Sequence, residues 1–402
     1  MADFAPDTED GIAEVVREAR ARGEPLLVRG RGSKMGMLRP VQAAGSLSTR
    51  NHAGIGLYAP NELILSAKAG TALAEVEAAL ASGGQHLIAE PPDLGALLSP
   101  GGEAVAQSIG GVVATNLSGP RRVAWGAMRD HVMGVRVVNG AGEVTRSGGR
   151  VLKNVTGLDL CKLLTGSHGT LGVITEVTVK VLPRPERTGS VVLAGLDARA
   201  GVAALSAGLG SPYAVSGAAW LPAEAAARVE GLPAGPLAIL RIEDVAHSTE
   251  YRLGRLVGEM AAFAQPVRLE HEASLAAWAA IRDARPLRAE AGDAVWRVSV
   301  RPSRGPGVLD AAEAAGVRGF LDWGGGLAWL AGPASEAAHG AVSRAALAAG
   351  GVWTLLRAPD GLRAAVDVVP PEAAALAAIT RRVKAAMDPG GVLNPGRMVA
   401  GL

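Results

Sequence analysis

The feature that most constrains this chain is the stretch from Ser108 to Pro183. It reads SIGGVVATNLSGPRR, a connection, then RDHVMGVRVVNGAGEVTRSGGRVLKNVTGLDLCKLLTGSHGTLGVITEVTVKVLP, with glycine-rich bends alternating with short β-branched runs. Glycine tolerates positive φ and lets main chain approach closely, so successive bends of this kind leave backbone N–H groups open to a ligand. Such a cradle works only if three bends converge in space.

Length and composition bound the rest. At 402 residues the chain exceeds what one hydrophobic core supports, so two domains are expected. Forty basic against 38 acidic residues, spread rather than striped, give no reason to expect nucleic acid or an anionic membrane as partner. The single cysteine, Cys161, excludes an internal disulfide framework, a cysteine-bound zinc and a cysteine-ligated iron–sulfur cluster, and suits a reducing compartment. The opening MADFAPDTED lacks the basic and apolar regions of a secretory signal, and no apolar run of about 18 residues suggests a membrane span.

In chain order, Ile12, Val15, Val16 and Ala19 at helical spacing predict an amphipathic helix over 8–22. The run PLLVRGRGSKMG then gives a strand that breaks into Gly30, Gly32 and Gly36 beside Arg29, Arg31 and Lys34. Consecutive amides in such a turn form an anion nest, although a plain β-turn reads equally well from this segment alone. It is neither a Walker loop nor a Rossmann fingerprint, because the glycine spacing is wrong for both. Residues 55–81 predict strand, turn and helix, with Thr71 as N-cap, Gly83 as stop and Leu73, Val76 and Leu80 buried. Pro91 and Pro92 mark a rigid corner with Asp93 exposed on it.

Gly110 and Gly111 open a small-residue run that could lie flat against a planar ligand, with Thr115, Asn116 and Ser118 as short polar groups. Arg121 and Arg122 read either as a solvated turn or as charge for a phosphate or carboxylate. Asn139-Gly140-Ala141-Gly142 joins two strands as a hairpin, a short helix spans 158–164, and a long strand ends at Pro183 with its odd-numbered face from Val173 to Val181 buried. His168 in a glycine bend reads as a structural hydrogen-bonder, and Cys161 as a small core residue.

Taken in order, RGRGSKMG, PPD, SIGGVVATN, RDHVMGVRVVNGAGEV and GLDLCKLLTGSHGTLGVITEVTVKVLPRP resemble the FAD-binding domain of the vanillyl-alcohol oxidase, or PCMH, type. Within it the chain is most similar to the smaller FAD-binding subunits of bacterial glycolate oxidases, which work beside a larger FAD subunit and an iron–sulfur subunit. The resemblance implies an α+β fold: an FAD-binding domain of two α+β subdomains over 1–185, an α+β cap over 186–370, and a segment over 371–402 that returns to the FAD domain. It implies FAD pyrophosphate over Val28, Arg29, Gly30, Arg31, Gly32, Ser33, Lys34, Met35 and Gly36. Pro92, Asp93, Ser108, Gly110, Gly111, Ala114, Thr115, Asn116 and Ser118 would lie along flavin and ribityl. His168, Gly169, Thr170, Leu171, Gly172, Val173 and Ile174 would give main-chain contacts, with Asn394 approaching from the tail turn LNPGR. Relatives that bind flavin covalently carry a histidine in the first glycine loop or a suitably placed cysteine; Ser33 and Lys34 stand in that loop here, so non-covalent FAD is expected.

The second half alternates alanine-rich helices such as SALAAWAAIRDA with strands such as PLAILRIED, DAVWRVSVRP, GGLAWLAG and VWTLLRA, which predicts a cap of two helices and an antiparallel sheet. The larger catalytic relatives carry H-x-G-D-G-N-L-H in this region; here His247, His271 and His339 stand singly, and no metal is expected. The resemblance therefore implies a cytoplasmic FAD subunit, brought to a membrane only by partners, that assists a larger subunit in oxidising glycolate or a similar 2-hydroxy acid. An independent flavin dehydrogenase and a non-catalytic flavin-bound scaffold are the alternatives. No catalytic residue is identified.

Overall fold

A computed structural model of the chain describes residues 2–100, 102, 105–149 and 158–402. The segment RVLKNVTG at 150–157, part of the glycine-rich stretch, lies outside the described residues. Three sheets organise the described residues. In the first, the strands Ala2–Phe4, Gly45–Ser48 and Leu26–Arg29 lie side by side and all parallel. The helix Glu9–Arg22 covers them: the Thr8 hydroxyl accepts from Gly11 N–H at 3.1 Å, Gly23 closes it in the left-handed region, and Ile12, Val16 and Ala19 pack with Leu26 and Leu47. Nothing in the opening residues signals the strand Ala2–Phe4. It forms because Gly45 offers an edge on which the Phe4 ring can lie, a Cβ there meeting Phe4 at 3.2 Å.

The second sheet is antiparallel in the order Ile55–Ala59, Ile64–Lys68, Val173–Pro183, Val132–Val138, Val144–Gly148. Gln85–Leu87 pairs the far end of Val173–Pro183, which makes that strand the axis of the sheet. Its odd-numbered residues Val173 to Val181 are buried, as the alternation predicts. The even face is not left to solvent either, since Ile174 is buried and the Thr178 hydroxyl shares a 2.7 Å hydrogen bond with Ser66.

One element goes unassigned by sequence pattern and one cap is corrected. The small-residue run SIGGVVATN forms the helix Ile109–Thr115, capped by the Ser108 hydroxyl accepting from Gly111 N–H at 3.2 Å and closed by Asn116 at φ 50°. Packing overrides its poor helix formers: a Cβ on Gly110 would stand 2.5 Å from that of Ala69, so glycine there lets the helix sit directly on the end of strand Ile64–Lys68. Thr71 does not cap the helix Leu73–Ser82, because its hydroxyl is already used within the preceding turn, accepting from Gly54 N–H and donating to the Lys68 carbonyl.

The second half forms one eight-stranded antiparallel sheet, ordered Pro266–Leu269, Arg187–Ala194, Leu237–Asp244, Gly217–Leu221, Arg318–Asp322, Leu327–Gly332, Ala294–Ser299, Val352–Arg357. Five long helices, not two, accompany it: Ala198–Gly210, Ala246–Met260, His271–Arg282, Gly305–Glu313 and Glu336–Ala348. Strands not named from sequence lack alternation; Gly217–Leu221 is buried at every position and Arg187–Ala194 at six in a row.

Paired buried charges join this sheet to the first half. Arg241 forks onto Glu90 at 2.9 and 3.0 Å, while Arg121 forks onto Glu243 at 3.0 and 2.7 Å. Burial by itself would raise both carboxyls, but Arg121 and Arg241 hold them below the ordinary glutamate range. Arg241→Met should cost about 3–5 kcal/mol in urea unfolding, since it leaves Glu90 buried with one cation fewer. Carboxyls depressed in the folded state contribute stability that is complete above the unfolded glutamate pKa and lost as pH falls. The contribution of this cluster to the unfolding midpoint should therefore be lost below about pH 4.3, and Arg241→Met should remove it.

Candidate functional site: an amide-lined cleft with two buried cations

The ends of three different elements meet around one cleft of about 720 Å³. The bend after strand Leu26–Arg29 supplies Val28, Arg29, Gly30, Arg31, Gly32, Ser33, Lys34 and Met35. The helix Ile109–Thr115 and its N-cap supply Ser108, Gly110, Gly111, Ala114 and Thr115 along one face. The bend before strand Val173–Pro183 supplies His168, Gly169 and Gly172, continuing into Val173 and Ile174, and the tail adds Asn394. Two lining residues were not named in advance, Thr49 and Ala69, each just past a strand end; Arg397, which closes the LNPGR turn expected to approach the cofactor, lines the cleft as well.

One side chain holds two of these bends together. Asn394, at φ 44°, accepts from Val28 N–H at 2.7 Å and donates to the Val28 and His168 carbonyls at 3.0 and 2.8 Å. Its amide hydrogens are therefore spent on main chain, and it acts on the cleft by setting the spacing of the walls. Gly169, at φ 73°, fits beneath it, since a Cβ there would stand 2.9 Å from the Asn394 amide nitrogen. His168 also takes a left-handed conformation, its N–H donating to the Ala114 carbonyl at 2.8 Å, which ties the third bend to the helix.

Gly36, Pro92, Asp93, Asn116, Ser118, Thr170 and Leu171 do not line the cleft. Gly36 backs onto the Leu98 carbonyl, where a Cβ would approach to 2.7 Å. The Pro92 carbonyl accepts from Gln107, and Asp93 caps Gly95 N–H at 3.0 Å while its own N–H donates to Asp283. Asn116 and Ser118 accept from Arg129 N–H and Met128 N–H, so they shape the turn that leaves the helix. Thr170 bonds within its own bend, to the Ser167 carbonyl, and Leu171 packs with the core of the second sheet. Sequence position placed all seven near the site, but their contacts are to the surrounding chain.

The electrostatics of the cleft are lopsided. Lys34 Nζ donates to Gln107 Oε1 at 2.9 Å, and Arg397 donates to the Lys34 and Arg39 carbonyls at 3.0 and 3.3 Å. Among the described residues neither cation has a carboxylate within 4.0 Å. Burial lowers Lys34 to about 8 and, with the charge of Arg363, lowers Arg397 to about 10. His168 falls to about 3, from burial first and then from the charges of Arg397 and Lys34, so its ring is neutral. Two desolvated cations beside open amides, with no acid between them, fit a polyanionic ligand such as the pyrophosphate of a dinucleotide cofactor. The small side chains of Gly111, Ala114 and Thr115 leave room for a flat ring system on the adjoining wall.

Comparison with known proteins agrees with this chemistry. Residues 2–148 match the family described as FAD binding domain. The chain is 34% identical over 396 residues to the glycolate oxidase subunit GlcE of Escherichia coli, covering 98% of this chain and 99% of that one. It is 30% identical over 184 residues to the glycolate oxidase subunit GlcD of Bacillus subtilis, covering 46% of this chain and 37% of that one. In structure it superposes on 4-ethylphenol oxidase from Gulosibacter chungangensis with a TM-score of 0.72 and 12% identity, covering 99% and 89% of the two chains, which places it in the PCMH-type α+β fold.

The glycines separate two effects that substitution can distinguish. A Cβ on Gly111 meets only Ser108 Oγ at 3.2 Å and Lys34 Nζ at 3.9 Å, so Gly111→Val should fill the cleft and abolish flavin retention with little change in unfolding midpoint. Gly169→Val should lose flavin and also destabilise the chain, through its left-handed φ and the displaced Asn394. Absorbance of the purified variants beside their thermal unfolding checks both.

Proposed function

The chain belongs to the family of the glycolate oxidase subunit GlcE, and from that premise we propose that it is the smaller FAD-binding subunit of a complex that oxidises glycolate or a similar 2-hydroxy acid. The observation that carries the cofactor reading is the pair of buried cations, Lys34 and Arg397, facing an amide-lined cleft without a carboxylate partner. The amides of the bend Gly30–Ser33, with Lys34 and Arg397, would hold the pyrophosphate. Gly111, Ala114 and Thr115 would lie against the ring system, and His168 to Ile174 would contact the cofactor through main chain. When bound, FAD supplies the two-electron acceptor for oxidation of the acid.

Residues 1–185 form the FAD-binding domain in this reading, 186–370 the cap and 371–402 the returning segment. Retention is non-covalent. Ser33 occupies the first bend, and the sole thiol, Cys161, is 2% exposed, donates to the Ser147 carbonyl and does not line the cleft. A larger FAD subunit carries the chemistry and an iron–sulfur subunit takes the electrons, in the cytoplasm. No helix among the described residues is long and apolar enough to cross a membrane, so contact with one would come through partners.

Acid precipitation should leave a white pellet and a yellow supernatant; flavin held in the pellet would overturn the non-covalent reading. Lys34→Met should weaken FAD binding by about 10–100-fold in equilibrium dialysis, the range of one charge-assisted contact. Glycolate should bleach the flavin only after the larger subunit is added, and bleaching by this chain alone would make it an independent dehydrogenase.

A further inference from the structure

A second pair of arginines, outside the cleft, also lacks any acid. Arg122 stands on the segment that leaves the helix Ile109–Thr115, and Arg297 on strand Ala294–Ser299 of the large sheet. Both guanidinium groups lie over the indole of Trp323, at 4.6 and 5.3 Å from the ring centroid, and Arg297 also lies 4.9 Å from that of Trp329. Among the described residues neither has a carboxylate within 4.0 Å, neither guanidinium has a hydrogen-bond acceptor, and Arg297 Nε is buried without a partner. Their stacking on aromatic faces explains where they stand, not what they bond to.

The floor beneath them is built at a conformational cost. Trp323, Gly324 and Gly325 take successive left-handed conformations at φ 53°, 68° and 102°, and a bulky residue adopts such a φ only when its surroundings over-determine it. Here they do: Asp322 accepts from Trp323 N–H at 2.7 Å, and the indole N–H donates to the Gly119 carbonyl at 3.1 Å, fixing the ring across the seam between the two halves. Asp322 does not neutralise Arg297. Burial pushes its carboxyl up to about 7, so much of its charge is gone near neutrality. Burial, then the charge of Arg122, lowers Arg297 to about 10, as befits two cations with no anion between them.

We propose that Arg122 and Arg297 form a binding site for a small carboxylate at the seam between the two halves of the chain, on the face of Trp323. Planar guanidinium forks match a carboxylate in bidentate geometry, and a cation from each half makes ligand binding depend on how the halves are set. Both arginines are partly exposed. The identity of the acid as a 2-hydroxy acid rests on the proposed function; the site itself does not.

The test is titration of the full chain with glycolate, followed by tryptophan fluorescence and calorimetry, with glycolamide as the uncharged control and flavin content read from absorbance of the same samples. Saturable binding of glycolate but not of glycolamide is expected. Arg122→Gln and Arg297→Gln should each weaken it about tenfold or more, while Arg301→Gln, at an exposed arginine nearby, leaves it unchanged. Trp323→Phe should lose the fluorescence signal and keep calorimetric binding. If Arg297→Gln fails to fold, Arg122→Gln, on a partly exposed turn, decides alone. Absence of saturable binding, equal binding of glycolamide, or undiminished affinity in Arg122→Gln would overturn the proposal. Loss of flavin with arginine-dependent binding retained counts against the cofactor reading only, and retained flavin without arginine-dependent binding counts against this site only.

Discussion

The first half of this protein depends on the side chain of Asn394. Its three hydrogen bonds join the end of strand Leu26–Arg29 to the bend at His168, bringing the second-last turn of the chain against one of the first. Two independent bends converge on a ligand only if something fixes their separation, and an amide that accepts from one and donates to both does so with little freedom left. Lys384 supports the same joint from behind. Its ammonium donates to the Thr170 and Leu393 carbonyls and to Asp388, so all three of its protons are used. Lys384 is also the single buried residue of the helix Ala374–Met387. That helix is held less by apolar burial than by this polar brace, an arrangement that ties the tail to the cleft and to little else.

Across the seam the bonding is different in kind. Glu90, Arg121, Arg241 and Glu243 meet as two interlocked pairs, each carboxylate serving both arginines. Burying four charges gains little net stability over an apolar contact of similar size, because desolvation offsets most of the attraction. What it does gain is geometry, since bidentate forks tolerate little sliding. Arg357 and Arg363 extend the same habit by donating to the Leu97 and Leu38 carbonyls across the seam. Met37, Leu38, Leu94, Leu97, Leu98 and Leu117 of the first half share an apolar core with the large sheet, and the directional polar contacts add a fixed geometry, beside which Trp323 is held in its left-handed conformation.

The sequence carries the first half of this fold more plainly than the second. Strand Val173–Pro183, the helix Glu9–Arg22 and the hairpin at Asn139–Gly142 follow from alternation, capping residues and a turn signal, all local causes. Most of the cleft is legible for the same reason: Gly30, Gly111 and Gly169 stand where main chain must approach something closely. What local pattern cannot show is a helix made by its surroundings. Ile109–Thr115 contains two glycines and two valines and is helical because Ser108 caps it and Gly110 packs on Ala69. Arg397 belongs to the tail turn expected near the cofactor, but its part as a cation has no signature until the fold buries it without a carboxylate. A strand such as Gly217–Leu221, buried at every position, reads as unspecified core until a neighbour is known.

Cations without a carboxylate within 4.0 Å stand in pairs at two separate places among the described residues, and the contrast between them carries chemical information. In the cleft, Lys34 and Arg397 stand among open backbone amides, a combination that suits spread negative charge on several oxygens. At the seam, Arg122 and Arg297 stand over aromatic faces with no comparable set of amides, so the neutralising partner must bring its own compact pair of oxygens and can lay a small apolar body on the indole. Elsewhere at the seam, arginines are answered by acids of the chain itself: Arg121 and Arg241 share Glu90 and Glu243. A fold that satisfies those cations internally and leaves four others without an acid has left room for anions that it does not itself contain. The two chemistries differ enough that a dinucleotide and a small acid need not compete for the same place.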